Sequence, residues 1–376
     1  MALGHIMRTI MNRYNKNDPE WNNWQWQIAH SIKTSDDLSQ HIPLTDQRKD
    51  DINKCLANFR MAITPYYASL INIGDPKDPI MMQAVPSIDE TYFNENDLLD
   101  PLGEEKESPV PHIVHRYPDR VLFLVTLRCS MYCRHCTRKR VVGEVDKEID
   151  EKGITEAIKY ISDHDQIRDV LISGGDPLVM TTAKLEGIIG KLRTIKHVDI
   201  IRIGTRVPVV LPMRITDELI DMLKKYHPIW INTHFNHPNE ITDEVKNACI
   251  KIVNAGIPLG NQSVLLKGIN DQKDVMKELL LRLVSMRVRP YYLYQCDLSK
   301  GISHFRTTVD TGIDIIHALT GHISGYAIPK YVIDAPTGGG KIPIGYNYLV
   351  SKDDQEVVME NYLGKIYRYP QPKHNR

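Results

Sequence analysis

The run VLFLVTLRCSMYCRHC, residues 121–136, joins a strand-like apolar segment to three of the chain's six cysteines. Val121–Thr126 is β-branched and aromatic and has the length of a strand. The thiols follow at once as C-x3-C-x2-C, at Cys129, Cys133 and Cys136. A structural zinc site normally closes on four ligands, so these three would need His135 or a distant residue. Disulfide pairing would leave one cysteine over. Three thiolates can instead hold three corners of a 4Fe–4S cluster and leave one iron open to another ligand. The remaining cysteines, Cys55, Cys249 and Cys296, are dispersed and read as small buried hydrophobes.

Working outward, the same kind of short apolar run recurs at Asp169–Ser173, Asp199–Gly204, Ile229–Phe235, Pro258–Leu266 and Arg289–Cys296. Segments of helical period lie between and after them, at Ile154–Ile161, Thr182–Ile195, Thr216–Tyr226, Thr242–Ala255, Lys273–Met286 and Thr311–Leu319. Strand starts mostly fall about 30 residues apart, the length of one βα unit. Six such units predict parallel strands with right-handed crossovers. They are too few for a full eight-stranded barrel, which leaves an open partial barrel or a doubly wound sheet. The polar residues that interrupt the pattern fall at or near the strand ends, where parallel α/β folds bind ligands. They are the cysteine loop, Ser173–Asp176, Thr205–Arg206, His234 and His237, Gln262 and Asp297.

Composition narrows the class without choosing a chemistry. Basic and acidic residues balance at 47 each, with 42% hydrophobic content, which argues against a broad electrostatic nucleic-acid surface. No apolar run approaches the roughly 20 residues of a membrane span. The opening Met1–Met7 reads as a tag remnant, and residues 1–14 are set apart from the fold. Without a signal pattern the expected compartment is the cytoplasm, where clustered cysteines are metal-binding or catalytic more often than disulfide-forming. Residues 15–108 read as a helical N-terminal region docked through Trp21, Trp24 and Trp26, with the loop at 100–111 as its boundary. Residues 109–325 form the βα core, and 326–376 a C-terminal segment.

Three further stretches carry chemistry. DAPTGGGK, Asp334–Lys341, fails as a phosphate-binding P-loop because Ile342 follows the lysine and Ala335 stands at a required glycine. A glycine run ahead of one lysine does suit an amine that forms a Schiff base with an aldehyde cofactor. HRYPDR places Arg116, Tyr117 and Arg120 together, and guanidiniums match phosphate geometry. Arg138, two residues past the cysteines, reads as a carboxylate clamp.

Taken in order, CSMYCRHCTRKR, HRYPDRV, RIGTRVPVVLP, NTHFNHPNEIT, GIPLGNQSVLLKGIND, RPYYLYQCDLS, HFRT and DAPTGGGK resemble the lysine 2,3-aminomutase family of radical S-adenosylmethionine enzymes. MAITPYY and SPVPHIVHRYPDR extend the likeness toward the N-terminus. The resemblance implies a partial (β/α)6 barrel of TIM-barrel type with a C-terminal extension carrying the lysine loop. It implies a 4Fe–4S cluster on Cys129, Cys133 and Cys136, with S-adenosylmethionine near Gly174, Gly175, Asp176, Arg206, His234 and Gln262. Lys341 matches the lysine that carries pyridoxal 5′-phosphate, and Arg116, Tyr117 and Arg120 match its phosphate grip. Arg138 would pair with the substrate's α-carboxylate, and Asp297 and Asp334 with a side-chain cation.

The implied reaction moves the α-amino group of a free basic L-amino acid to its β-carbon. L-Lysine is the first expectation and L-arginine the alternative, since two carboxylates suit either cation. A radical enzyme acting on a protein lysine and a zinc-stabilised binding module are the rival classes. The resemblance further implies an electron donor such as a flavodoxin or ferredoxin, and a homo-oligomer, dimer or tetramer, with no nucleic-acid or membrane partner. No zinc is expected. The family's C-terminal cysteines are not present, and Gln272 stands where it has another. Thr337 replaces a loop glycine, and Lys300, three residues past Asp297, could neutralise part of the pocket.

Overall fold

Alternation decides how each strand is used. In the computed structural model, which describes residues 18–143 and 149–372, strand β3 (Asp169–Gly174) buries Val170 and Ile172 completely while Leu171 and Ser173 stay partly accessible. Strands β4 (Ile200–Gly204) and β5 (Ile229–Thr233) repeat the pattern, with Ile201, Ile203, Ile229 and Ile231 buried. One face packs under the helices, as two-residue periodicity requires. The other, with Ser173, Gly204 and Asn232, lines a hollow lumen. The tag expected at residues 1–14 lies outside the described residues.

Strand β1 (Ile113–Tyr117), β2 (Arg120–Thr126), β6 (Leu259–Leu265), β7 (Arg289–Gln295), β8 (Lys330–Ala335) and β9 (Gly340–Pro343) complete a nine-stranded sheet in sequential order. Neighbours from β2 through β8 are parallel. An order that never reverses excludes the doubly wound alternative and leaves the partial barrel. Six βα units are present as expected, and β8 adds a seventh parallel strand, within the 326–376 segment expected only to carry the lysine loop. The edges β1 and β9 are antiparallel hairpin partners of β2 and β8. The Pro118-Asp119 turn between Tyr117 and Arg120 is a hairpin signal, overlooked because the stretch was read for its arginines. A separate three-stranded sheet comprises β10 (Leu349–Lys352), β11 (Glu356–Glu360) and β12 (Ile366–Pro370).

The helices between strands run Glu151–Asp163, Thr182–Arg193, Asp217–Lys224, Asp243–Asn254, Lys273–Ser285 and Val309–Leu319. Five start where a side chain accepts from the first-turn amides: Asp150, Thr181, Thr216, Thr242 and Thr308. Such caps are local, and three of these starts fall within one residue of the sequence reading, while Glu151 and Val309 precede the expected Ile154 and Thr311. The N-terminal region is helical only in short pieces. Its longest helix, Asp46–Leu56, has 11 residues, and prolines at 19, 65 and 79 begin three others. Trp21, Ile52, Ile63, Tyr66 and Tyr67 belong to the same hydrophobic core as the barrel strands. MAITPYY supplies the joints: Thr64 Oγ1 donates to Val210 O at 2.6 Å and Tyr67 Oη to Glu240 Oε1 at 2.8 Å. Among the tryptophans, Trp24 lies under the Arg214 guanidinium at 4.6 Å. Among the described residues no helix is long and apolar enough to cross a membrane.

Candidate active site

The cysteine loop is anchored from three directions. Gly175 N donates to Thr126 O at 2.6 Å and Asp176 N to Arg128 O at 2.7 Å. A Cβ on either glycine would meet those same carbonyl oxygens, lying 2.2 Å from Thr126 O at Gly174 and 2.2 Å from Arg128 O at Gly175. The close approach these glycines permit is therefore to the entry of the cysteine loop, and the φ of +129° at Gly174 strengthens the requirement. Asp176 spends its carboxylate on Thr205 Oγ1 at 2.6 Å and on the amides of Arg206, Val207 and Leu178. It locks the turn after β3 to the turn after β4.

The third anchor is a buried ion network that the sequence did not suggest. Arg134 Nε donates to Glu90 Oε1 at 2.8 Å, and Lys139 Nζ to Glu90 Oε2 at 2.8 Å. Burial pushes the Glu90 carboxyl up, but the Arg134 and Lys139 charges outweigh it and hold it below the usual range. Burial brings the Lys139 ammonium down to about 8 despite Glu90. Removing one partner of such a network strands the others. Glu90→Gln is therefore expected to cost about 3–5 kcal/mol in denaturant-induced unfolding. A cost below about 1 kcal/mol would mean that water replaces the carboxylate.

All three thiols of the loop are free. Cys133 Sγ accepts from Arg206 Nη1 at 2.8 Å and Cys136 Sγ from Arg138 N at 3.3 Å. Burial raises the Cys129 thiol well above its ordinary range and Cys136 to about 11. Burial thus favours the protonated form of Cys129 and Cys136 until a metal takes the proton's place. Among the described residues no three His, Cys, Asp or Glu side chains converge closely enough to hold one metal ion. A cluster that gives each thiol its own iron needs no such convergence. His135, the nearby candidate for a zinc ligand, instead lies beside His234 with ring centroids 5.3 Å apart.

The residues assigned from the sequence to cluster, cofactor and substrate line one cavity of about 620 Å³, whereas His237 stands outside it. Cys129, Cys133, Cys136, Gly174, Gly175, Asp176, Arg206, His234 and Gln262 share it with Arg116, Tyr117, Arg120, Arg138, Asp297, Asp334 and Lys341. Five buried polar atoms on its wall lack a hydrogen-bond partner among the described residues: Ser130 Oγ, His135 Nδ1, Arg206 Nε, Thr233 Oγ1 and His234 Nε2. Orphaned buried donors and acceptors are costly without a ligand. This wall fits a small polar molecule such as S-adenosylmethionine beside the thiols. Burial, aided by the Arg206 charge, brings His234 down to about 3 and keeps it neutral.

On the other wall the β8–β9 register sets Asp334 opposite Lys341, and Lys341 Nζ donates to Asp334 Oδ1 at 3.1 Å. Lys341 N donates to Tyr117 Oη at 3.0 Å, so the phenol bridges the two edge strands. The Arg120 guanidinium lies 4.0 Å over the Tyr117 ring. A primary amine with two guanidiniums and a phenol on one wall suits an aldehyde that also carries a phosphate. Burial, then the Asp334 charge, pushes Asp297 up to about 7. Lys300 takes no part: its ammonium sits 4.2 Å over the Phe93 ring, off the cavity wall. Thr337 adopts a φ of +59°, the left-handed geometry that glycine reaches without cost.

Sequence reasoning missed Glu104, Tyr292 and Tyr294, which also line the cavity. Glu104 was hidden in an acidic loop that looked solvated. The tyrosines were hidden in a strand read for its apolar pattern.

Residues 316–376 match the family described as lysine-2,3-aminomutase, and residues 123–280 the radical SAM (S-adenosylmethionine) superfamily. The chain is 56% identical to the L-lysine 2,3-aminomutase of Acetoanaerobium sticklandii, across 94% of this chain and 86% of that protein. It is 55% identical to the L-lysine 2,3-aminomutase of Clostridium subterminale, across 94% and 85% respectively. The glutamate 2,3-aminomutase of Clostridioides difficile is more distant, at 48% identity across 96% and 85%.

Proposed function

Because this chain belongs to the lysine 2,3-aminomutase family of radical S-adenosylmethionine enzymes, we propose that it moves the α-amino group of free L-lysine to the β-carbon, giving β-lysine. One observation carries the substrate choice: Asp297 and Asp334 share a cavity with Lys341 and Arg138. Two carboxylates on one wall repel until a cation joins them, and burial together with the Asp334 charge raises Asp297. In this structure the Lys341 ammonium is the cation beside Asp334. Once Lys341 is committed elsewhere, a substrate ammonium takes its place. A glutamate side chain would add a third negative charge there, and the arginine alternative gains no support from relatives named for lysine and glutamate.

The donor sets fit three groups. Cys129, Cys133 and Cys136 would each hold one iron of a 4Fe–4S cluster. His234, Gln262, Ser130 and Thr233 would meet S-adenosylmethionine, while Gly174, Gly175 and Asp176 fix the backbone around it. Arg206 braces that wall through Cys133 and through Glu240 at 2.7 Å. Lys341 would carry pyridoxal 5′-phosphate, with Arg116, Tyr117 and Arg120 at its phosphate. When bound, these groups supply one-electron hydrogen abstraction and a conjugated imine, chemistry that no side chain offers. The chain itself orients the amino acid by its two ends, Arg138 on the α-carboxylate and Asp297 with Asp334 on the ammonium. The barrel wall around the lumen limits water at the reacting carbon. A one-electron donor of the flavodoxin or ferredoxin type completes the reading.

An anaerobic assay of reduced, cofactor-loaded enzyme against the twenty amino acids tests it. The expected product is β-lysine from lysine alone, and turnover of arginine in its place would overturn the substrate assignment. A pH series sharpens this. A neutral Asp297 cannot pair with an ammonium, so KM for lysine should rise as pH falls through about 7. Asp297→Asn should lower kcat/KM by about 30-fold to several thousand-fold, the loss of 2–5 kcal/mol expected for one partner of a buried charge pair, and should flatten that pH dependence. A wild-type KM that stays flat between pH 6 and 8 would remove Asp297 from the ammonium site.

A further inference from the structure

The acidic segment Asp100–Glu107 lies along the cavity rim, and two of the three arginines that the reading above assigns to anions reach into it. Arg116 Nε donates to Glu107 Oε2 at 2.6 Å, and its Nη2 donates to Leu102 O. Arg138 Nε donates to both Glu104 oxygens, at 2.9 and 3.1 Å, and Nη2 donates to Glu104 Oε1 at 2.5 Å. The segment is held in turn. Thr337 N donates to Pro101 O at 2.9 Å, and a Cβ on Gly103 would stand 2.8 Å from the Thr337 carbonyl. Glu104 is 8% exposed, so its carboxylate is no solvated surface charge.

The geometry of the fork is informative. Glu104 takes the Nε–Nη2 edge of the guanidinium. Nη1 keeps one weak contact among the described residues, to Gly174 O at 3.5 Å. The backbone of Arg138 is already tied to the cysteine loop through Cys136 Sγ. We propose that Glu104 is a positioning residue, which grips one edge of Arg138 and so presents Nη1 to the α-carboxylate of the substrate. This rests on the assignment of Arg138 as the carboxylate partner. A free arginine would lose side-chain entropy when it met the substrate. One already held side-on has lost it in advance, and its plane is fixed. The pairing also keeps the guanidinium from being a buried charge without a partner.

The test is equilibrium binding to unreduced, cofactor-loaded enzyme, read from the pyridoxal absorbance during titration, with L-lysine and L-lysinamide as paired ligands. The ratio of their affinities measures what the carboxylate contributes. Glu104→Gln keeps the size of the side chain but breaks the charged fork, and should lower that ratio about tenfold, the worth of one charge-assisted contact. Glu104→Ala should lower it similarly. Equal weakening of both ligands would show a merely structural role and overturn the proposal. A ratio that rises would overturn it too, because Glu104 would then be competing with the substrate for Arg138. Arg138→Ala is the control and should bring the ratio near one. If it leaves the ratio at the wild-type value, the assignment of Arg138 itself fails, whatever Glu104 does.

Discussion

Cys133→Ala is expected to leave a chain that binds almost no iron and does not turn over. Each thiol would hold one iron, and Cys133 also accepts from Arg206 at 2.8 Å, which places its sulfur at the junction of loop and barrel. With two thiols left, the cluster has neither its third corner nor its fixed orientation. Iron and sulfide analysis after anaerobic reconstitution should fall from about four per chain toward zero. Activity should drop by about a million-fold or more, because the uncatalysed rate is all that remains. Cys249→Ala provides the contrast. That thiol is buried in the core, within the helix Asp243–Asn254, and its loss should cost some stability but no iron. A Cys133→Ala chain that retained a full cluster would refute the assignment.

Lys341→Ala should lose covalent pyridoxal and activity together. In the wild type, borohydride reduction should fix the cofactor to the peptide containing Lys341, seen as a mass shift. In the variant no peptide should carry it. Removing a residue that forms a covalent catalytic link costs roughly 10⁴–10⁶-fold in turnover. The neighbourhood explains why this lysine and no other is expected to react. Nζ is within 3.1 Å of Asp334 and 5.4 Å of the Tyr294 ring centroid, and its backbone is held by Tyr117. Reduction that tagged Lys139 instead, a lysine with a buried side chain three residues past Cys136, would overturn the assignment.

Much of the site was legible because its signals are local. The spacing of Cys129, Cys133 and Cys136 fits on one loop, and DAPTGGGK sits on one hairpin. Strand and helix periods placed both near strand ends, so the convergence of these residues on one lumen followed from topology alone. Three helix starts were equally readable, because Thr181, Thr216 and Thr242 cap amides only three residues away. The edge strands were less so. Strand β1 was masked by arginines that drew a functional reading, and β9 by the glycines ahead of Lys341, which read as a loop.

By itself the sequence determined the chemistry available here: three thiols, one reactive amine, the arginines and two aspartates, on a six-unit βα frame. Periodicity and capping act over a few residues, and a linear reading can follow them. Only the tertiary structure decided how those groups are held. Glu104 lies 34 residues from Arg138, and Glu90 lies 44 from Arg134. In a linear reading each glutamate looks like a solvated charge. Gly174 and Gly175, expected near S-adenosylmethionine, also make room for the backbone of Thr126 and Arg128. Pairings of this kind depend on which surfaces meet once the sheet has curled, and no local rule of strand or helix carries that information.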